Sequence, residues 1–298
     1  MNDTKTLIKS YLSRYGRSLE RAIFDYHIEG THNAHVFSEL KRYQNRDGGF
    51  AKGLEPDFYT PESAPISTWS ALNIMHAAGI ESNHPMLVKT LEYLENTPYY
   101  KNGFYQTTIP SMNDYPGAPW WRYEKGKEVW GYNPTASLAG FILKYTSKDA
   151  PLKKRGLKIR EDAIKAFKTT KPEDMHELRC FAELYELTHK DYPDEAFAEL
   201  LKRQILKTVE RDKNQWFSDY TARPSSLIVS KNTPGYEDLK ELLKEELALT
   251  ANKIQEKGFA DITWEWGTHE EAYEKARLSW RGVLSVRHLI AENAFLKK

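Results

Sequence analysis

The sequence lacks the features that hold small secreted domains together and those that anchor a protein in a membrane. Cys180 is the only cysteine among 298 residues, which excludes an internal disulfide and an all-cysteine metal site. No apolar run approaches the roughly 18 residues that span a bilayer. Residues 1–20 carry charges among their apolar positions, so they contain no signal-peptide core. We expect a cytoplasmic protein without a membrane span; the oligomeric state stays open.

An excess of either charge is also missing. The chain has 43 Lys and Arg against 42 Asp and Glu, a net charge of +1, so no overall field favours nucleic acid or an anionic membrane surface as a partner. Aromatic residues are abundant instead, with eight Trp, eighteen Tyr and twelve Phe making up 13% of the chain. Their positions in the chain therefore matter for function.

Strand-forming patterns are scarce, and helical spacing dominates. The best strand candidate, residues 226–230, is short. Apolar residues recur at three- and four-residue steps, which is typical of helices packed on one side. The predicted helical ranges are about 7–23, 33–44, 64–79, 84–95, 133–146, 158–169, 173–189, 193–211, 235–257 and 269–295. Two long loops, at about 45–63 and 97–132, interrupt them and are the expected location of function.

A weak internal repeat is visible in the first half of the chain. Residues 44–50 contain Asp-Gly-Gly-Phe, and a helical Thr-Trp-Ser-Ala-Leu follows at 68–72. Residues 102–105 contain Asn-Gly-Phe-Tyr, and Thr-Ala-Ser-Leu follows at 135–138. A third and more degenerate unit begins at 214–217. Repetition of this kind predicts stacked helical hairpins.

The motif Gln44-x-x-Asp47-Gly48-Gly49-Phe50 resembles the repeat of squalene-type terpenoid cyclases and protein prenyltransferase β subunits. The resemblance implies an all-α fold in which helical hairpins form an α/α toroid, or barrel, with long Gly/Pro/aromatic loops over a central cavity. We expect residues 1–298 to form one such domain. The loop itself is expected to brace the scaffold: its glycines permit positive φ, Asp47 caps backbone N–H groups, and Phe50 inserts between helices.

The chain departs from the catalytic signatures of that family. It has no Asp-x-Asp-Asp cluster like the one that protonates squalene, and no Asp-Asp-x-x-Asp magnesium motif. The zinc-binding Asp-x-Cys of the prenyltransferases is also missing, since Leu178 precedes Cys180 by two positions. We therefore expect Cys180 to lie in the core, and we expect neither a metal site nor a cofactor.

Glu55 and Asp57 are the predicted catalytic residues. They flank Pro56 directly after the glycine loop, and in a rigid, extended segment residues i and i+2 point to the same side. Two close carboxyl groups push their pKa values apart, which gives one acid and one base. The alternative is that Asp57 caps a helix and Glu55 pairs with an arginine.

The predicted substrate-binding residues come from two aromatic segments and the last helix. Aromatic faces can stack on sugar rings or stabilise cationic carbon, Asn133 can hydrogen-bond, and Arg281 can hold an anion or neutralise Glu55 or Asp57. The alternatives are that the rings pin the long loop, that Asn133 caps a helix, and that Arg281 pairs with a structural carboxylate. The set is Trp120, Trp121, Trp130, Asn133, Trp264, Glu265, Trp266 and Arg281.

Three functions fit these observations. The leading hypothesis is a cofactor-free acid–base enzyme that binds a small prenyl- or terpenoid-like substrate in an aromatic central cavity. The first alternative is a carbohydrate-active α/α-barrel enzyme, either a glycoside hydrolase or a lyase, with Glu265 or Asp114 as candidates for its second carboxylate. The second is a binding or scaffold protein without catalysis. The sequence does not decide between them.

Overall fold

The computed structural model describes residues 3–296, and this part of the chain contains twelve α-helices and one two-stranded hairpin. The hairpin consists of β1 (Tyr100–Lys101) and β2 (Phe104–Tyr105), which are antiparallel. The helices are α1 (Thr4–Tyr15), α2 (Ser18–Glu29), α3 (Ala34–Leu40), α4 (Pro65–Ala77), α5 (Pro85–Asn96), α6 (Thr135–Tyr145), α7 (Pro151–Thr170), α8 (Met175–Thr188), α9 (Glu195–Thr208), α10 (Pro224–Leu227), α11 (Tyr236–Lys257) and α12 (Glu270–Phe295).

The prediction of an all-helical chain is confirmed, and each predicted helical range contains a helix. The first range is two helices, because Gly16 and Arg17 adopt extended backbone and end α1 before α2 begins. The scarce strand pattern at 226–230 does not form a strand. Pro224 begins the short helix α10 there, and Ile228 N–H donates to the Pro224 carbonyl at 2.9 Å, since proline fits the first turn of a helix.

The glycine loop braces the scaffold as expected. Asp47 Oδ1 accepts hydrogen bonds from Gly49 N–H at 3.0 Å and from Ser63 Oγ at 2.8 Å, and Phe50 is fully buried. The two glycines are needed for different structural reasons. Gly48 has a φ of +93°, whereas Gly49 provides space, because a Cβ there would lie 2.6 Å from Ser63 Cβ.

The two clearer repeats make equivalent contacts. Phe50 N–H donates to Thr68 Oγ1 at 3.2 Å, and Tyr105 N–H donates to Thr135 Oγ1 at 3.0 Å. In both cases a buried loop residue is fixed by a threonine in the first turns of the next helix. The short sequence repeat therefore corresponds to a repeated loop-to-helix connection.

Helix packing links the two ends of the chain. The even-numbered helix α6 contacts α4 and α8, and α8 contacts α10. Near the termini, α12 packs against α1, α2 and α11. The largest apolar core extends from α2 to α11, and a second core of aromatic loops, α4 and α12 lies beside it. No helix within residues 3–296 is long and apolar enough to cross a membrane.

We predict that Gly48→Ala lowers the free energy of unfolding by about 2–4 kcal/mol. An alanine Cβ at Gly48 would lie 2.0 Å from the Lys89 carbonyl oxygen, in addition to the strain of positive φ. Gly103→Ala is the matched control, since Gly103 has a φ of +88° and a Cβ added there would meet no atom within 4 Å. Urea denaturation should show a loss of only about 1 kcal/mol there; equal losses would show that the close contact is unimportant.

Candidate active site

The segment that carries Glu55 and Asp57 is held in place by an arginine between α1 and α2. Arg17 donates to both carboxyl oxygens of Glu20, at 2.7 and 2.6 Å, and to the Gly53 carbonyl at 2.6 Å. The expectation of an extended segment is wrong. Residues 54–57 form bends and turns, and Phe58 N–H approaches the Glu55 carbonyl at 3.5 Å, because proline is also favoured at the second position of a turn.

Asp57 is a buried carboxylate held by two tryptophans from the other end of the chain. Its Oδ1 accepts a hydrogen bond from Trp266 Nε1 at 3.0 Å and from Trp280 Nε1 at 2.8 Å. Burial raises the pKa of Asp57, and the indole N–H groups oppose that effect because they stabilise the charged form. The alternative of a helix cap is therefore not what the structure contains.

Trp264 completes the aromatic wall. Its ring packs edge-on against Trp280 at 5.3 Å and against Tyr220 at 5.3 Å. The Trp264 N–H lies near enough to help lower the pKa of Asp57, although its geometry falls short of a hydrogen bond and the buried nitrogen has no partner within residues 3–296. Trp264 therefore belongs to the aromatic surroundings of Asp57.

The carboxyl group of Glu55 differs from that of Asp57 in its hydrogen bonding. No side chain within residues 3–296 forms a hydrogen bond or ion pair with its carboxyl group, and the residue is only half-buried. Desolvation and the neighbouring charge of Asp57 raise the pKa of Glu55 to about 8, although Arg287 and Arg17 favour its ionised form. Glu55 therefore keeps its proton to about pH 8, and the indole N–H groups favour the charged form of Asp57 within the pair.

We infer that Glu55 and Arg287 line a recess, because each is accessible to solvent although protein surrounds it on most sides. Arg287, on α12, has a solvent-exposed side chain. Desolvation by the surrounding protein nevertheless lowers its pKa more than any other effect. These two properties agree only if solvent reaches the guanidinium through an opening while protein surrounds it on most sides. Glu55 combines accessibility with desolvation in the same way. Such a site is open to a small molecule and still amplifies electrostatic interactions.

Tyr220 lies near the carboxyl pair and also borders a recess at the surface. Its ring is 52% exposed, and burial together with the charges of Glu55 and Asp57 raises the pKa of its hydroxyl. The hydroxyl lies 2.9 Å from His176 Nε2, and both residues border a surface recess of about 340 Å³. Burial lowers the pKa of His176, which favours a neutral ring that can exchange a proton with Tyr220.

The aromatic loop supports the site instead of lining it. Trp121 is buried, packs on Phe58 at 5.2 Å and stacks on Trp130 at 5.1 Å. Next to it, Ala118 N–H donates to the Asp57 carbonyl at 2.8 Å. These contacts match the alternative that the rings pin the long loop, and they fix the backbone of Asp57. Trp120 is 39% exposed on the outside.

Asn133 lies in the interior. Its Oδ1 accepts the Cys180 thiol at 3.6 Å, and its carbonyl accepts Thr107 Oγ1 at 2.5 Å. It is not a helix cap, because Pro134 occupies the position before α6 and no side chain caps that end. Cys180 is buried, as expected for a core residue, and burial raises its pKa.

Glu265 and Arg281 are placed away from the carboxyl pair. Arg281 forms a bidentate ion pair with Asp261, at 2.8 and 3.2 Å, so it does not neutralise Glu55 or Asp57. Glu265 is exposed and borders an outer recess of about 470 Å³ behind Trp264. We place the candidate site at Glu55 and Asp57, because the acidic groups of the recess behind Trp264 are exposed or paired. Asp114 is also exposed, which leaves Asp57 as the carboxylate nearest to Glu55.

Sequence reasoning missed four residues of the site: Arg17, His176, Tyr220 and Arg287. None of them stands in a recognisable motif, and they reach the recess from different parts of the chain. The one available signal was the position of Arg287, which follows Trp280 by two helical turns and so shares its face. Within residues 3–296 no group of three or more His, Cys, Asp or Glu side chains is arranged to hold a metal ion.

Comparisons with known proteins do not narrow the function. The chain matches no protein-family model, no curated protein sequence and no solved structure.

We predict that Glu55→Gln flattens the dependence of stability on pH. The folded protein keeps the Glu55 proton up to about pH 8, whereas an unfolded chain releases it near the ordinary glutamate pKa of 4.5. The proton therefore stabilises the folded state fully below that lower value, and the contribution is lost as pH rises through about 8. The groups facing Glu55 are Asp57, Tyr220, Arg17 and Arg287.

Urea denaturation from about pH 5 to about pH 9 measures this effect. At the alkaline end, Glu55→Gln should exceed the wild type by about 1–3 kcal/mol in free energy of unfolding, because glutamine carries no charge to desolvate. Glu92→Gln, at an exposed position of α5, is the control and should follow the wild-type curve. Parallel curves for wild type and Glu55→Gln would contradict the raised pKa.

Proposed function

We propose that the protein is an acid–base enzyme in which Glu55 donates a proton to a small organic substrate and Asp57 supplies a fixed negative charge. The observation that carries this proposal is the contrast within the pair. Asp57 accepts two indole N–H groups, whereas Glu55 has no protein partner and keeps its proton to about pH 8. Two carboxyl groups whose environments drive their pKa values apart are suited to acid and base roles.

The raised pKa also favours an enzyme over a scaffold. A scaffold gains nothing from a desolvated, unpaired carboxyl group, because that group destabilises the fold whenever it ionises. Titratable groups with strongly shifted pKa values in a recess are typical of catalytic sites. Glu55 is such a group, and it is accessible from outside.

An α/α toroid is the arrangement we propose for the helices. In such a ring the even-numbered helices form the inner layer, and the last of them, α12, lies beside the first, α2. Contacts of α6 with α4 and α8, of α8 with α10, and of α12 with α2 support it. The toroid is also supported by the meeting of four elements at one recess: the α1–α2 connection, the glycine loop, α8 and α12. The resemblance to terpenoid cyclases and prenyltransferases stays part of this proposal.

The lining of the recess favours a polar substrate over a hydrocarbon. Glu55, Arg287, Tyr220 and His176 all present polar groups to solvent within it, and a prenyl chain would leave those groups without partners at a cost of about 1–3 kcal/mol each. A hydroxylated ring can form hydrogen bonds with these groups, so we rank the carbohydrate-active alternative above a prenyl- or terpenoid-like substrate.

We predict that Glu55→Gln lowers kcat by about 10²–10⁴-fold, as expected for loss of a general acid. Asp57→Asn should lower kcat as well, and it should also weaken folding because the two indole N–H groups lose a charged acceptor. A panel of neutral oligosaccharides, uronic-acid oligosaccharides and isoprenoids, with products followed by mass spectrometry, identifies the substrate class. The wild-type rate should fall as pH rises through about 8, where Glu55 loses its proton.

Glu92→Gln serves again as the exposed control and should keep wild-type turnover. Full activity of Glu55→Gln on an accepted substrate would eliminate Glu55 as the acid. Turnover of isoprenoids without turnover of any sugar would reverse the ranking of substrate classes but leave the acid–base assignment standing.

A further inference from the structure

Arg287 is the cation of the recess that the protein leaves without a counter-ion. Two other arginines border the same region, and both are fully engaged. Arg17 binds Glu20 and the glycine-loop carbonyls, and Arg179 binds Glu183 at 2.9 Å and the Ser226 carbonyl at 3.0 Å. Within residues 3–296, the Arg287 guanidinium forms no ion pair or hydrogen bond, and the ring it approaches is that of Trp280.

The backbone geometry places Arg287 close to the carboxyl pair. Its Cζ lies 5.9 Å from the centre of the Trp280 ring, and the same Trp280 donates to Asp57 at 2.8 Å. Between them along α12, Gly282 lies against Glu20, since a Cβ at Gly282 would be 3.6 Å from Glu20 Cγ. Glu20 in turn holds Arg17, which binds the carbonyl two residues before Glu55. Helix α12 thus passes the glycine loop with Trp280 and Arg287 two turns apart on one face.

The carboxyl groups near Arg287 do not form an ion pair with it. Glu20 and Glu183 are taken up by Arg17 and Arg179, and Glu183 also accepts Trp69 Nε1 at 2.8 Å and Ser137 Oγ at 2.6 Å. Asp57 is bound by the two indoles, and Glu55 is neutral at physiological pH. Of the three arginines of this region, Arg287 is therefore the one that no carboxylate within residues 3–296 binds directly.

We propose that Arg287 binds an oxyanion of the substrate, a carboxylate or a phosphate, and so orients the substrate with its reacting bond towards Glu55. This inference rests on the proposed function for the role of Glu55, but the binding of the anion does not depend on catalysis. A guanidinium presents parallel N–H donors that match the two oxygens of a carboxylate or phosphate. The exposed face of Arg287 is available for such a contact.

Binding of small anions tests the proposal without knowledge of the natural substrate. The probes are inorganic phosphate, glucuronate and, as the neutral counterpart of glucuronate, glucose, each titrated by isothermal calorimetry at low chloride. We expect the wild type to bind phosphate or glucuronate and to bind glucose at least about tenfold more weakly. A preference for glucuronate indicates a carboxylate substrate, and a preference for phosphate indicates a phosphorylated one.

Variants of Arg287 separate a specific site from general attraction of anions. Arg287→Met should weaken anion binding by about tenfold or more, and Arg287→Lys by a smaller factor, since lysine keeps the charge but loses the paired donors. Arg46→Met, at an exposed arginine of the glycine loop, should bind like the wild type. If Arg287→Met does not fold, the lysine variant decides.

Binding of neither anion by the wild type, or equal binding by wild type and Arg287→Met, would overturn the proposal. Glu55→Gln distinguishes this failure from failure of the proposed function. That variant should keep anion binding while losing turnover, so loss of both in Glu55→Gln, with Arg287 intact, would show that Arg287 is not an independent anion site.

Discussion

Asp57 accepts hydrogen bonds from Trp266, 209 positions further along the chain, and from Trp280, 223 positions further along. Much of the site depends on these two bonds. They join the glycine loop to the segment before α12 and to α12 itself, so they help to set how the C-terminal helix passes the loop. They also favour ionisation of Asp57 over ionisation of Glu55. Two N–H donors stabilise the charge of Asp57, and that charge in turn makes ionisation of its neighbour Glu55 more costly.

Rigid and reactive parts of the chain are separated by only a few residues. Gln44, Asp47 and Phe50 direct their polar and apolar groups into the scaffold, through contacts with α4, α5 and the loop backbone. Arg17 then clamps the Gly53 carbonyl, and the next side chain but one, Glu55, is free of protein partners within residues 3–296. A well-held backbone beneath an unpaired side chain is what pre-organised proton transfer requires.

The sequence allowed the helices, the brace and the carboxyl pair to be predicted, because each depends on local patterns: apolar spacing, Asp-Gly-Gly-Phe, and Glu-Pro-Asp. It also indicated Trp264 and Trp266, although not that their N–H groups face Asp57. The partner of Arg281 was not predictable, since Asp261 and Asp57 are equally plausible acids until the fold decides. Arg17, Tyr220 and Arg287 depend on long-range packing and carry no local signal. The weak strand pattern at 226–230 does not form a strand, because Pro224 begins a helical turn there.

The central claim is that Glu55 is a protonated, unpaired carboxyl group at neutral pH. Carbon-13 NMR of protein labelled at the glutamate side-chain carboxyl, recorded as a function of pH for wild type and Glu55→Gln, tests it directly. We expect one resonance that titrates near pH 8 and that is missing from the variant. If the resonance that disappears in Glu55→Gln titrates instead near the ordinary glutamate value of about 4.3, Glu55 is ionised at neutral pH and the claim is contradicted.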